Sequence, residues 1–428
     1  MNTEQYISMP KEALLKEQTA LQQKYNAYQA QKLNLNMARG KPGPEQLELS
    51  MPMLNILHGK SELYAANGDD CRNYGLLEGL PEMRQFFGDL LGVDACDVIV
   101  GGNSSLNMMF DTVDAGMHYG FSNCKPWAAQ GKLKFLCPCP GYDRHFGLTE
   151  YFGIEMIIIP MTEQGPDMDM VEQLVSSDTS IKAIWCVPKY SNPQGITYSD
   201  EVVRRFATLK PAAKDFKILW DNAYCVHDIS DTPDNLLNLM KECKKQGSDD
   251  LPIIFTSTSK ITFPGAGVAA MAGSKNTLAT IRKKLALQTI GYDKINQLRH
   301  LLFLKDLNGV TKIMEQHKAL IRPKFDIVLN TLKQELTSAG FAHWTNPQGG
   351  YFVSVNVMEG CAKRVVTLCK EAGVTLTDAG ATYPYGKDPN DCNIRIAPTF
   401  PSIEELKQAM DIFCIAAKLA ALEHLLTK

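Results

Sequence analysis

No apolar run in these 428 residues approaches the roughly 18 that a bilayer crossing requires, and the opening stretch MNTEQYISMPKEALLKEQ lacks a basic start followed by an apolar core. The expectation is a cytoplasmic protein with neither a membrane span nor a leader. Charge of one sign is not in excess either. Lys and Arg number 44 against 47 Asp and Glu, a net charge of -3, so there is no basic footprint for nucleic acid. The twelve cysteines include no C-x-x-C pair, and the two closest, Cys137 and Cys139, sit in a strand-like run. Free thiols in a reducing compartment are expected, not a disulfide framework or a metal site. The eight histidines form neither H-x-x-x-H nor H-E-x-x-H, which removes the usual sequence support for metal-assisted hydrolysis. Internal repeats, low-complexity tracts and flexible linkers are absent as well.

What the chain does have is core-forming material: 45% of it is hydrophobic and 21% charged, and its length points to two or three domains. Residues 9–31 read as an amphipathic helix with Leu14, Leu21, Tyr25 and Tyr28 on one side, an arm in search of a surface. The next segment, LNLNMARGKPGP, breaks the helix and sets Arg39 and Lys41 beside Gly40. From about 97 to 273, seven apolar runs (DVIV, LKFLC, MIIIP, IKAIWCV, FKILW, IIFTS and GVAAMAG) alternate with helical patterns. That alternation predicts an α/β fold with a seven-stranded, mostly parallel central sheet covered on both faces. A helical region over 275–339 leads to the strand-like YFVSVNV, VTLTD and NIRIAP and a last helix, which opens with Ser402 and Glu405 at capping-box spacing. This reads as a smaller α+β domain. The expected division is an arm and joining segment over 1–45, a large domain over 46–320 and a small domain over 321–428.

Four motifs fall at the carboxyl ends of predicted strands, where open α/β sheets bind ligands. In DVIVGGNSSLNMM, a Gly-Gly turn brings Asn103, Ser104 and Ser105 to the start of a helix, a place suited to a phosphate or to an ordinary serine cap. CPCPGYDRHFG presents Tyr142 on a Pro-Gly turn, either to stack on a heteroaromatic ring or to pack on the sheet edge. YSNPQG and DNAY supply Asn192, Asp221 and Tyr224, and a carboxylate that ends an apolar strand needs a partner. In IIFTSTSKITFPGAG, Ser257 and Lys260 follow a buried strand, so the amine faces either a ligand or water.

Taken in order, Tyr74 in RNYGLLEGLPEMR, Ser104-Ser105, Tyr142, Asn192-Pro193, Asp221, Lys260 in STSK and Arg395 in NIRIAP resemble the class I aminotransferases of pyridoxal-phosphate fold type I. The resemblance spans nearly the whole chain. The wording NMARGKP, GGNSSLN, STSKITFPGAGV and DKINQLRH is most similar to a divergent bacterial subgroup of aspartate aminotransferases. It implies pyridoxal 5′-phosphate as cofactor, with Lys260 as the Schiff-base lysine and proton carrier and Asp221 as partner of the ring nitrogen. Asn192 and Tyr224 would then meet the ring oxygen, Tyr142 would stack on the ring, and Ser104, Ser105, Leu106 and Ser257 would hold the phosphate. By the same resemblance Arg395 clamps the substrate's α-carboxylate with Gly40 and Asn192 beside it, and Tyr74 reaches the cofactor phosphate of the other subunit of a homodimer, on which the arm can dock.

One position departs from the pattern: the phosphate-binding arginine expected eight residues beyond the lysine is Val268. A β-lyase or decarboxylase on the same scaffold is the competing enzyme reading; a pyridoxal-binding regulator or a cofactor-free interaction protein is a third, the regulator needing a basic DNA-binding module where the residues before MARGKP read as one helix and a short strand. The expected substrates are aspartate or glutamate with 2-oxoglutarate or oxaloacetate. Lys294, Arg299 and Arg39 are the candidates for a distal carboxylate.

Overall fold

The first helix, Lys11–Gln29, is followed by a two-residue strand, β1 (Leu35–Asn36), in the computed structural model, which describes residues 5–59 and 61–427. All seven apolar runs then form strands of one sheet. They are β2 (Val98–Val100), β3 (Lys134–Cys139), β4 (Glu155–Thr162), β6 (Ile181–Cys186), β7 (Lys217–Asp221), β8 (Pro252–Ser257) and β9 (Ala269–Gly273). An eighth strand, β5 (Gly165–Pro166), was not expected. It pairs antiparallel with the end of β4, and a Gly-Pro dipeptide carries no hydrophobic pattern by which a sequence could announce it. The sheet order is β2-β9-β8-β7-β6-β3-β4-β5, with β9 antiparallel to both its neighbours and the run from β8 to β4 parallel. Every residue of β6 and β8 is buried, as a sheet covered on both faces requires.

Three helices, Lys275–Gln288, Lys294–Leu304 and Leu307–Leu336, occupy the predicted helical region. Beyond them β10 (His343–Trp344), β11 (Val353–Asn356) and β13 (Asn393–Ile396) make an antiparallel sheet in the order β10-β11-β13. The VTLTD stretch stands apart from it. Its strand β12 (Val374–Thr375) pairs in parallel with β1, bringing residues 35 and 374 into register.

The arm does not wait for a second subunit. Leu14, Leu21 and Tyr25 are buried in the same core as the last helix, Ile403–Thr427, and the Tyr25 hydroxyl donates to the Leu368 carbonyl at 2.8 Å. The reason lies in that last helix, in which residues 412–417 and 419–422 are all buried, so this stretch needs neighbours around its whole circumference. Among the described residues no helix is long and apolar enough to cross a membrane.

Candidate active site

The carboxyl ends of the parallel strands converge on one cavity of about 660 Å³. β7 ends on Asp221, β8 runs into Ser257, Ser259 and Lys260, β6 leads to Asn192, and β3 leads to Tyr142. Ser104, Ser105 and Leu106 line the cavity from the start of the helix Ser105–Tyr119, and Gly40 and Arg395 line it from the side of the smaller sheet. Of the residues expected to bind the cofactor or the α-carboxylate, Tyr74 lies elsewhere, on the surface and 83% exposed.

Asp221 is 3% exposed, and its two oxygens have different surroundings. Oδ2 is 3.1 Å from His145 Nε2, while Oδ1 is buried without a hydrogen-bond partner among the described residues. His145 is held as a plate: its ring stacks on Trp185 with centroids 4.3 Å apart and planes at 9°, and Tyr142 meets it edge-on at 4.9 Å. Burial lowers the Lys260 pKa, opposed by the Asp221 carboxylate. Its Nζ lies 4.9 Å from the Tyr224 ring centroid. Burial pushes the Tyr142 hydroxyl up to about 12 and the Tyr224 hydroxyl well above its ordinary range, so both are neutral donors at physiological pH.

At the other end of the cavity the groups are hydroxyls and backbone. Ser104 caps its helix, accepting from the Leu106 N–H at 3.2 Å. The Ser257 hydroxyl donates to Ser259 Oγ at 3.0 Å, and Ser259 in turn donates to the Asn103 carbonyl at 3.2 Å. Val268 is in the core, 1% exposed, with its N–H on Thr258 Oγ1, so this position contributes nothing to the cavity. Gly40 is dictated by packing: a Cβ there would lie 2.5 Å from Cζ of Phe352, whose ring underlies the Arg395 guanidinium at 4.7 Å.

Arg395 is 5% exposed and threaded through three partners. Its Nη1 donates to Asp143 Oδ1 at 2.9 Å and Asn192 Oδ1 at 3.1 Å, its Nη2 donates to Thr377 Oγ1 at 3.1 Å, and Nε has no partner among the described residues. Two of the three candidate cations for a distal carboxylate are not at the site. Lys294 is buried with its amine on the Gly75 carbonyl at 3.0 Å, and Arg299 bonds to Asn296; neither lines the cavity. Lys294 is consumed in fixing the backbone at Gly75, and Arg299 in holding the Asn296 side chain. Arg39 does line it, and so does Arg144.

A sequence model described as aspartate amino-transferase matches residues 9–428. The chain belongs to the aspartate aminotransferase family. A Mycolicibacterium smegmatis protein that carries an aminotransferase name is 48% identical over 423 residues, 98% of this chain and 99% of its own. The aspartate aminotransferase of Corynebacterium glutamicum is 43% identical over 405 residues, 94% of this chain and 93% of its own. A crystal structure of an aspartate transaminase from Corynebacterium glutamicum superposes with a TM-score of 0.95 at 41% identity, over 99% of this chain and 100% of that one. This chain is therefore an aminotransferase with the fold type I architecture.

Sequence reasoning about this aminotransferase missed four groups at the site. His145 stood in the quoted motif PGYDRH, three residues after Tyr142, a spacing that returns it to the same side of the first helical turn. Arg144 stood beside it. Ser259 stands in the quoted STSK directly before Lys260, and Thr377 carried no signal at all, since only the fold brings it to Arg395.

Proposed function

We propose that this aminotransferase uses pyridoxal 5′-phosphate and prefers dicarboxylic substrates, moving an amino group between aspartate or glutamate and 2-oxoglutarate or oxaloacetate. The observation that carries the cofactor assignment is Asp221: a buried carboxylate with one oxygen fixed by His145 and the other unpaired fits a protonated ring nitrogen and little else. Pyridoxal 5′-phosphate, when bound, supplies an aldehyde that accepts the amino group and a ring that draws off the electron pair left at the substrate Cα. Lys260 binds the cofactor and moves the proton at Cα, and its lowered pKa increases the share of neutral amine able to do so. Asn192 and Tyr224 orient the ring oxygen, and Tyr142 covers the ring. With no arginine at Val268, the phosphate relies on Ser104, Ser105, Ser257, Ser259 and the N–H groups around Leu106.

Arg395 takes the α-carboxylate, with Asn192 and Thr377 holding its plane. Arg39 and Arg144, which line the cavity and make no ion pair among the described residues, are the cations for the distal carboxylate; the name of the Corynebacterium glutamicum relative supports the same substrate class. The exposed Tyr74 suits a homodimer in which it serves the partner's phosphate site. The same reading assigns cofactor binding to a large domain over 46–320 and closure to a small domain over 321–428, joined by 1–45.

The test is the visible absorbance of the loaded enzyme as single amino acids are added. Aspartate and glutamate should convert the cofactor faster than alanine, leucine or phenylalanine; faster conversion by alanine or phenylalanine would overturn the dicarboxylate assignment. Borohydride should fix the label on Lys260, and labelling of another lysine would overturn that role.

A further inference from the structure

Beneath Lys260 runs a buried chain of polar groups that none of the roles above employs. Gln46 is 2% exposed, His317 1% and Tyr351 1%. The side-chain oxygen of Gln46 accepts from the Gly43 N–H at 3.1 Å, which turns its NH2 group inward, to the Tyr351 hydroxyl at 3.0 Å and His317 Nδ1 at 2.9 Å. An amide NH2 only donates, so Nδ1 accepts and the imidazole proton sits on Nε2. There it is donated, at 3.0 Å, to the carbonyl of Ile261, the residue after Lys260. One tautomer of His317 satisfies both ends, and burial, which holds its pKa below the ordinary range, keeps it neutral.

The second arm reaches the amine. The Tyr351 ring centroid is 5.7 Å from Lys260 Nζ, and the ring lies nearly parallel to Tyr224, 6.1 Å away at 28°. Gln46 itself sits in the short helix Pro44–Glu48, just beyond the segment 38–41 that lines the cavity. His317 comes from the helix Leu307–Leu336 and Tyr351 from the turn before β11. Three remote parts of the chain therefore meet on a single amide, one arm ending at the backbone beside Lys260 and the other at its side chain.

We propose that Gln46 is a positioning residue for Lys260, setting the neighbouring peptide through His317 and the ring under the amine through Tyr351. It thereby ties the placement of the 38–41 segment to that of the amine. The inference rests on the reading of Lys260 as the cofactor-bearing lysine. The titratable groups that face the amine are Asp221 at the end of β7, Tyr224 and His227 from the loop after it, and Tyr351.

The experiment uses the full-length enzyme loaded with pyridoxal 5′-phosphate and reads the pH midpoint of its visible absorbance band. In Gln46→Leu the midpoint should fall by at least about half a pH unit, because a displaced Tyr351 face supports the positive form less well. The same variant should lose about tenfold in kcat with KM within about twofold, a pattern that loss of packing alone would not single out. Tyr351→Phe keeps the ring and cuts one arm, so it should shift the midpoint the same way by less, and the double variant should shift it no further than Gln46→Leu. Wild-type midpoints in both single variants, or additive shifts in the double, would overturn the proposal. Should Gln46→Leu not fold, an unmoved midpoint in Tyr351→Phe overturns it alone. Lys260→Ala separates the two readings: a titrating band that survives there refutes the role of Lys260, whereas a band lost there but unmoved in the Gln46 and Tyr351 variants refutes only the positioning.

Discussion

The two oxygens of Asp221 have different surroundings, one set against His145 and the other unpaired among the described residues, and the proposed function gives the unpaired one to the cofactor's ring nitrogen. Asp221→Ala frees His145 Nε2 from its partner and removes the charge facing Lys260. The expected result is a kcat lower by about 10²-fold or more with the fold intact, checked by single-turnover conversion with aspartate. Arg395→Lys replaces a fork held by Asp143, Asn192 and Thr377 with a point charge, and kcat/KM should fall about 10²-fold for every amino acid tested. If all substrates are turned over as before, the α-carboxylate lies elsewhere. Lys260 also carries a stability consequence. Its pKa is lower in the fold than in the unfolded chain, so as pH rises the folded protein gives up this proton first, and stability rises with pH up to the unfolded value near 10.4. At neutral pH the buried amine is a burden on the fold. In cofactor-free protein, Lys260→Met should therefore raise Tm by at least about 1 °C while abolishing turnover, as measured by calorimetry.

The helix Lys294–Leu304 holds the turn after Lys260 from outside the cavity. His300 Nδ1 donates to the Asn296 carbonyl at 2.8 Å, leaving Nε2 to accept from the Thr262 hydroxyl at 2.9 Å. Burial lowers its pKa to about 4. The unfolded chain binds this proton near pH 6.5 and the fold does not, so His300 contributes stability above pH 6.5 that is lost as pH falls toward 4. Urea midpoints of His300→Gln should decline less steeply across that window than those of the parent protein. Equal slopes would show that His300 is protonated without penalty. The outer helix is tested differently: Leu21 is 4% exposed against the last helix, and Leu21→Ala should cost about 2–5 kcal/mol by urea unfolding. Elements of this kind were legible in the sequence because each announces itself locally, whether as a continuous apolar run, a helical stripe or a Ser402–Glu405 cap, which does form. The strand-end residues Asp221 and Lys260 were legible for the same reason. His145, Thr377 and Gln46 were not, since their meaning lies in partners 76, 18 and 271 residues away. The docking of the arm was missed because an apolar stripe states that it will be covered and not by what.

At the scale of the whole molecule, Tyr74 is one of several large apolar side chains that face solvent. Met51, Leu54 and Tyr64 are exposed, as are Leu287, Ile290 and Leu302, and the turn Met51–Asn55 packs on the helix that carries Leu302. Sedimentation at assay concentration should find a dimer, and Tyr74→Ala should weaken cofactor retention about tenfold, as the proposed service of Tyr74 to the partner's phosphate site requires. A fully active monomer would contradict both. The pairing of β1 with β12 and the burial of Leu14, Leu21 and Tyr25 against the helix Ile403–Thr427 bear on how the molecule is made. On the ribosome the amphipathic helix emerges early, yet the strand that anchors it and the helix that covers it are synthesised more than 330 residues later. The large sheet can be complete while this greasy stripe is still bare. A helix translated before the sheet is thus sheltered only after it, and through that interval its apolar stripe is open to a chaperone's grip.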